Sequence, residues 1–266
     1  EGLKAAGFQV VKELEDIYTA FNAKILSDNL VPPFFNNPKM LADNGVKDGK
    51  APGHFKKRLI PFSDEMPLSK ADVSKQVGAS DIAVITLGRS GGENYENGYL
   101  PFTPTEVEMV KNVCEVYHAA GKRVVVVLNV GGVCETSSWN SYPDAVLCAW
   151  QAGQEGGYAV ADILKGAVNP SGKLPDSFPL KYEDVPSAAT FPGEPADNPV
   201  NSFYKEGIYV GYRYYDSFKV PTAYEFGYGL SYTQFEYSDL KLSSTSFMDK
   251  MMVSVTVKNA GSVAGK

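Results

Sequence analysis

An arginine and two carboxylic acids crowd one short stretch of the chain, Arg89-Ser-Gly-Gly-Glu93-Asn-Tyr-Glu96-Asn-Gly98. No hydrophobic periodicity accounts for it. A glycine-rich polar run of this kind is by default a surface loop. The alternative is a loop that presents a carboxyl group to a substrate. A mobile carboxylic acid with a raised pKa can act as general acid, the chemistry that a leaving glycosidic oxygen needs. Glu93 is the candidate for that role, with Arg89 and Glu96 as candidate substrate-binding neighbours. A phosphate cradle fits less well, because the G-x-G-x-x-G spacing is missing and Tyr99-Leu-Pro-Phe102 intervenes before any helix.

The loop follows Asp81-Ile-Ala-Val-Ile-Thr-Leu-Gly88, a short apolar run that reads as a buried strand of an α/β sheet. Ligand sites in such sheets gather at the carboxyl ends of strands. A helix is predicted near 69–78. Thr103-Pro104-Thr105-Glu106 forms a capping box with proline in the first turn, and the helix it opens carries Val107, Val110, Val113, Cys114 and Tyr117 on one side. After Gly121 come the valine-rich run Arg123–Leu128, a turn at Asn129–Gly132, and an apolar strand at Ala145–Trp150. A helix starts near Ala159 after Gly153-Gln-Glu-Gly-Gly157, where Glu155 complements the helix dipole. Strand and helix alternate, which predicts a doubly wound, mostly parallel sheet.

The flanks differ in character. At the start, a short helix closed by Gly7, a strand Phe8–Val11 and a helix lined by Leu14, Ile17, Tyr18 and Phe21 are predicted. Residues 23–64 show little periodicity and read as an irregular insertion or loop. The tyrosines between Tyr209 and Tyr215 read as strand packing, and Asn169-Pro-Ser-Gly172 as a turn and nothing more. Past residue 222, Phe235–Leu242 and Met252–Val257 alternate like the first strands of a β-sandwich. The expected division is therefore 1–222, an α/β domain, and 223–266, a linker and an incomplete β-sandwich. Two or three strands make no stable sandwich, so the chain is expected to be a piece of a longer protein.

Composition narrows the function classes. The 266 residues are 44% hydrophobic, ample for a sizeable core, and the net charge of −6 argues against a nucleic-acid partner. No run reaches membrane-spanning length, and the first residues lack signal-peptide character, which favours a cytoplasmic location. Cys114, Cys134 and Cys148 read as buried reduced thiols. They follow no zinc spacing, and His54 and His118 are far apart, so neither a metal nor another cofactor is expected.

Residue by residue, the loop resembles glycoside hydrolase family 3, which carries an Arg, then a Gly-Glu pair, a small residue and an acidic one. Here these are Arg89, Gly92-Glu93, Asn94 and Glu96, where the family usually has Gly and Asp at the last two; spacing favours Glu93 over Glu96 as the acid. Asn129-Val-Gly-Gly-Val133, Trp150-Gln-Ala-Gly-Gln-Glu155-Gly-Gly157, Ala161-Asp162-Ile-Leu164, Asn169-Pro-Ser-Gly-Lys-Leu-Pro175 and Phe178-Pro179 are similar to the family's second domain. So is Ile208-Tyr-Val-Gly-Tyr-Arg-Tyr-Tyr-Asp216, and Phe226-Gly-Tyr-Gly-Leu-Ser-Tyr-Thr233 leads, as in family relatives, into a fibronectin type III-like domain. The resemblance implies a retaining exo-β-glycosidase, foremost a β-glucosidase, acting on a β-linked oligosaccharide or an aryl or alkyl β-glucoside. It implies a nucleophilic Asp on a (β/α)8 barrel domain outside these residues, with Glu93 as acid/base. A non-catalytic carbohydrate-binding or interaction module on the same fold is the competing expectation.

Overall fold

The computed structural model describes residues 1–27, 65–89, 101–191, 193–195 and 200–266. Its centre is a parallel sheet of β1 (Ile82–Gly88), β2 (Arg123–Asn129) and β3 (Ala145–Cys148), ordered β1-β2-β3. β1 and β2 run in register from Ile82 opposite Arg123 to Gly88 opposite Asn129. The central strand is buried on both faces: Val124, Val126 and Leu128 face one layer of the core and Val127 the other. That is why it reads as an unbroken valine run rather than an alternation.

Numbered in chain order, the α-helices among the described residues are α1 (Gly2–Ala5), α2 (Lys12–Ser27), α3 (Lys70–Val77), α4 (Pro104–Ala119), α5 (Gly156–Leu164) and α6 (Tyr212–Phe218). α4 is the crossover between β1 and β2. It lays Val110, Val113, Cys114 and Tyr117 on the sheet, one face of a 3.6-residue period. α3 is capped by Ser69, whose hydroxyl accepts the Asp72 N–H at 3.2 Å. Its far end is closed by Lys122, whose ammonium donates to the carbonyls of Val77 (2.5 Å) and Ser80. α1 packs on α5 through a close Gly2–Gly157 contact, and Lys165 donates to the Ala6 carbonyl at 2.7 Å. Among the described residues no helix is long and apolar enough to cross a membrane.

Two antiparallel strand pairs follow among the described residues. β4 (Phe178–Pro179) pairs with β5 (Thr222–Tyr224), and β6 (Phe235–Leu242) with β7 (Val253–Asn259). In the last pair Tyr237 opposes Val257 and Leu242 opposes Val253, with a one-residue bulge at Asp239 (φ +54°) between them. The bulge matters for side-chain direction. Tyr237 and Leu242 are five positions apart, which in an unbroken strand would turn them to opposite faces, and the extra residue brings both to the same apolar face with Val253, Val255 and Val257. Glu236 and Lys258 meet across the other face at 3.8 Å. The expected class, a doubly wound mostly parallel α/β sheet followed by the first strands of a fibronectin III-like sandwich, is the observed one.

Three local expectations are corrected. Phe8–Val11 forms no strand and has no ladder partner among the described residues. The Tyr209–Tyr215 stretch is not a strand but the entry to α6. Gly211 (φ +59°) supplies the backbone turn before the helix, and only Tyr215 is buried. Asn169 is more than a turn residue: its Oδ1 accepts the Tyr232 N–H at 2.7 Å, and its Nδ2 donates to the Ser231 hydroxyl at 2.9 Å.

Candidate active site

All three parallel strands point their carboxyl ends at one edge, where Gly88, Asn129 and Cys148 finish. Arg89 is the first residue past β1, and its N–H donates to the Asn129 carbonyl at 3.0 Å, adding one rung to the ladder. Its guanidinium is heavily engaged. Nη1 and Nη2 each donate to one oxygen of Glu106 at 2.7 Å, a bidentate fork. Nη1 also donates to the Gly88 carbonyl at 2.7 Å, and Nη2 reaches the Pro101 carbonyl at 3.5 Å. The guanidinium carbon lies 4.2 Å from the Phe102 ring centre, and Phe102 meets the buried Trp139 edge-to-face at 5.4 Å.

Glu106 does two jobs at once. It closes the capping box of α4, accepting the Thr103 N–H at 2.6 Å while its own N–H donates to the Thr103 hydroxyl at 3.3 Å. It also holds Arg89. The side chains are 19% and 9% exposed, so the pair is shielded from solvent. Burial pushes the Glu106 carboxyl up, but the Arg89 guanidinium and the Thr103 N–H outweigh it and hold the group below the usual carboxylate range. The result is a rigid frame in which Gly88–Arg89 on one side is tied to Pro101–Glu106 on the other.

A second carboxyl group stands near this frame. Glu65 accepts the Tyr18 hydroxyl and the Met66 N–H, each at 2.9 Å. Burial raises its pKa, those two donors counter it, and the Glu106 charge adds to the rise. Nothing in the sequence marks Glu65, because it sits between an irregular stretch and a helix cap, and its partner Tyr18 is remote in the chain.

Of the site residues expected from the sequence, Arg89 is placed by the structure, whereas Glu93 and Glu96 lie outside the described residues. Glu155 takes the N-cap position of α5 with no side-chain capping bond, in keeping with its expected place at the helix start. The three cysteines are free: burial pushes Cys114 and Cys134 up to about 12 and Cys148 up to about 11, so none is an activated nucleophile.

Residues 4–212 match the family model described as the glycosyl hydrolase family 3 C-terminal domain. The thermostable β-glucosidase B of Acetivibrio thermocellus is 40% identical over 200 residues, 73% of this chain and 25% of that protein. The β-glucosidase B of Emericella nidulans is 41% identical over 212 residues, 74% of this chain and 24% of that protein. Among solved structures, β-glucosidase 3B from Thermotoga neapolitana, in complex with glycerol, superposes with a TM-score of 0.79 at 41% identity. It covers 98% of this chain, which spans 33% of that one. The chain thus spans about a quarter of the length of these curated relatives.

Proposed function

This chain belongs to glycoside hydrolase family 3 through that family's C-terminal domain, and we propose that it supplies the acid/base half of a retaining exo-β-glycosidase, specifically a β-glucosidase releasing terminal non-reducing β-glucosyl residues. A retaining glycosidase needs two carboxyl groups about 5 Å apart, one a nucleophile and one an acid that later serves as base. In this reading Glu93 protonates the leaving oxygen, then deprotonates the water that attacks the glycosyl-enzyme. The nucleophile is an Asp of a (β/α)8 barrel domain of the same protein, and Glu96 helps position the substrate.

The observation that carries the reading is the Arg89–Glu106 fork at the carboxyl end of β1. It fixes both attachments of the segment that holds Glu93, as a general acid that must meet a second domain requires. Arg89 enters chiefly through this frame. Its two terminal nitrogens are committed to Glu106, Gly88 and Pro101, so its effect on substrate is to hold the groups that touch it.

The test is Glu93→Gln in the complete gene product. General acid catalysis contributes about 10²–10⁴-fold. The variant is expected to lose hydrolysis of alkyl and sugar leaving groups by that order, yet to keep glycosylation by a dinitrophenyl glucoside, whose leaving group needs little protonation. Azide is expected to restore turnover and give a β-glucosyl azide. Unchanged hydrolysis by the variant would leave the chain as a binding module. Azide rescue of Glu96→Gln instead would move the acid three residues along.

A further inference from the structure

Beside Arg89, the carboxyl edge of the sheet carries the exits of β2 and β3, and these are built around one carboxamide. The last rung between the two strands is the Ala149 N–H, which donates to the Leu128 carbonyl at 2.8 Å. The chain then turns at Trp150, whose φ of +51° lies in the left-handed region that a bulky residue avoids. Lys219 and Asp239 also have positive φ, but one closes α6 and the other forms the β6 bulge. Trp150 does neither, and its ring is held by Phe178 at 6.0 Å.

What the turn achieves is visible at the next residue. Gln151 is folded back over the end of β2, with its Nε2 2.8 Å and its Cδ 3.2 Å from the point where a β-carbon on Gly131 would stand. Gly131 has no positive φ, so its backbone does not call for glycine; the carboxamide lying on it does. That carboxamide is unused. Gln151 is exposed, and neither its Nε2 nor its Oε1 has a hydrogen-bond partner among the described residues. Asn129, which ends β2, and Gln154 are exposed beside it in sequence or register. Each carboxamide offers donors and an acceptor, which suits a hydroxyl, itself both donor and acceptor. An apolar group seated there would desolvate the amides without replacing their hydrogen bonds to water.

We propose that Gln151 is a specificity-determining residue that hydrogen-bonds a hydroxyl of the leaving-group sugar, so that the enzyme favours β-glucosides whose leaving group is a saccharide over those with an apolar aglycone. The inference rests on the acid/base reading and deepens it. In a retaining glycosidase the acid protonates the leaving oxygen while the nucleophile attacks the anomeric carbon from the other side. Groups beside the acid on its own domain therefore meet the leaving group. Extending the two strand registers sets Arg89 and Trp150 on either side of Val130, with Gln151 one residue beyond. Two strand spacings, about 10 Å, thus separate the start of the Glu93 segment from the Gln151 turn.

The experiment compares cellobiose with cyclohexyl β-glucoside as substrates of the complete gene product. Both leaving groups are alcohols that need protonation, but only the sugar carries further hydroxyls. Gln151→Met keeps the side chain's length over Gly131 and removes the amide. It is expected to lower kcat/KM for cellobiose about 3- to 10-fold, the worth of one net hydrogen bond, and to change that for the cyclohexyl glucoside less than about twofold. Should Gln151→Met fail to fold by its urea midpoint, Gln151→Leu replaces it in the same comparison. Equal losses on the two substrates, no loss on either, or a loss confined to the cyclohexyl glucoside would overturn the proposal. The ratio does not depend on which residue is the acid. Glu93→Gln with unchanged hydrolysis, beside a shifted ratio in Gln151→Met, would move the acid elsewhere and leave Gln151 on the leaving group. A parent protein that cleaves neither glucoside would overturn both readings.

Discussion

Arg89 and Glu106 face each other with two hydrogen bonds of 2.7 Å, across 17 residues of sequence, and together they bind the end of a strand to the start of the next helix. A shielded pair of this geometry need not be worth more than well-packed apolar residues, but breaking it by halves is costly because one buried charge is stranded. Glu106→Ala is therefore expected to destabilise the fold by about 3–5 kcal/mol, read from urea midpoints. Arg89→Met with Glu106→Met together should cost clearly less than the sum of the single changes. An additive double mutant would show that the two residues act separately.

At the opposite edge of the sheet, Asp144 gathers Arg123, the Val124 N–H at 2.8 Å and His118 at 2.9 Å. The Arg123 guanidinium first, then the Val124 N–H, hold its carboxyl well below the usual range against a smaller push from burial, with His118 adding to the effect. A depressed folded pKa stabilises the native state above the unfolded value of about 3.9, and that contribution is lost as the pH falls below it. Asp144→Asn is expected to lower the urea midpoint at pH 7 and to narrow its deficit against the parent at pH 3. An equal deficit at both would remove the ionic account.

Gly2 lies against Gly157 so closely that a β-carbon on it would sit 2.0 Å from the Gly157 carbonyl oxygen. The obstacle is backbone, which cannot swing aside as a side chain would. Gly2→Ala is expected to push α1 off α5 and cost about 1–3 kcal/mol, the range for overpacking. Faster amide exchange at Ala5 and Ala6, which donate to the Glu1 and Gly2 carbonyls, would accompany it. Unchanged exchange there would show that the contact relaxes without loss.

What could be read from the sequence was set by local chemistry. The capping box of α4, the valine run of β2 and the apolar stripe Val110–Cys114–Tyr117 are each fixed within a few residues, and each stands where expected. What escaped depends on partners remote in the chain. Glu106 is legible as a capping residue, yet its grip on Arg89 exists only once β1 and α4 are packed. Glu65 acquires meaning only beside Tyr18 and Glu106. The tyrosines before Asp216 mislead in a different way: β-propensity is mostly a preference for half-buried surfaces, and a seven-residue helix entered through Gly211 offers them one as well as a strand would.

Asn169 shows the same lesson in testable form. A turn residue by its sequence, it accepts the Tyr232 N–H at 2.7 Å through Oδ1, and through Nδ2 it donates to Ser231 at 2.9 Å. The Tyr232 hydroxyl in turn donates to the Ile163 carbonyl at 2.9 Å. These bonds fasten the entry of β6 to the α/β layer. Asn169→Ala removes the acceptor of an exposed N–H that water can then satisfy, a loss of about 0.5–1.5 kcal/mol. The Tyr232 amide is expected to exchange faster by the corresponding factor, while amides in the middle of α4 keep their protection. Asn169→Asp retains the acceptor and should fall between the two. If Asn169→Ala slows nothing and frees nothing at Tyr232, the connection between the layers is carried by the Tyr232 hydroxyl instead, and Tyr232→Phe would be the variant that loosens it.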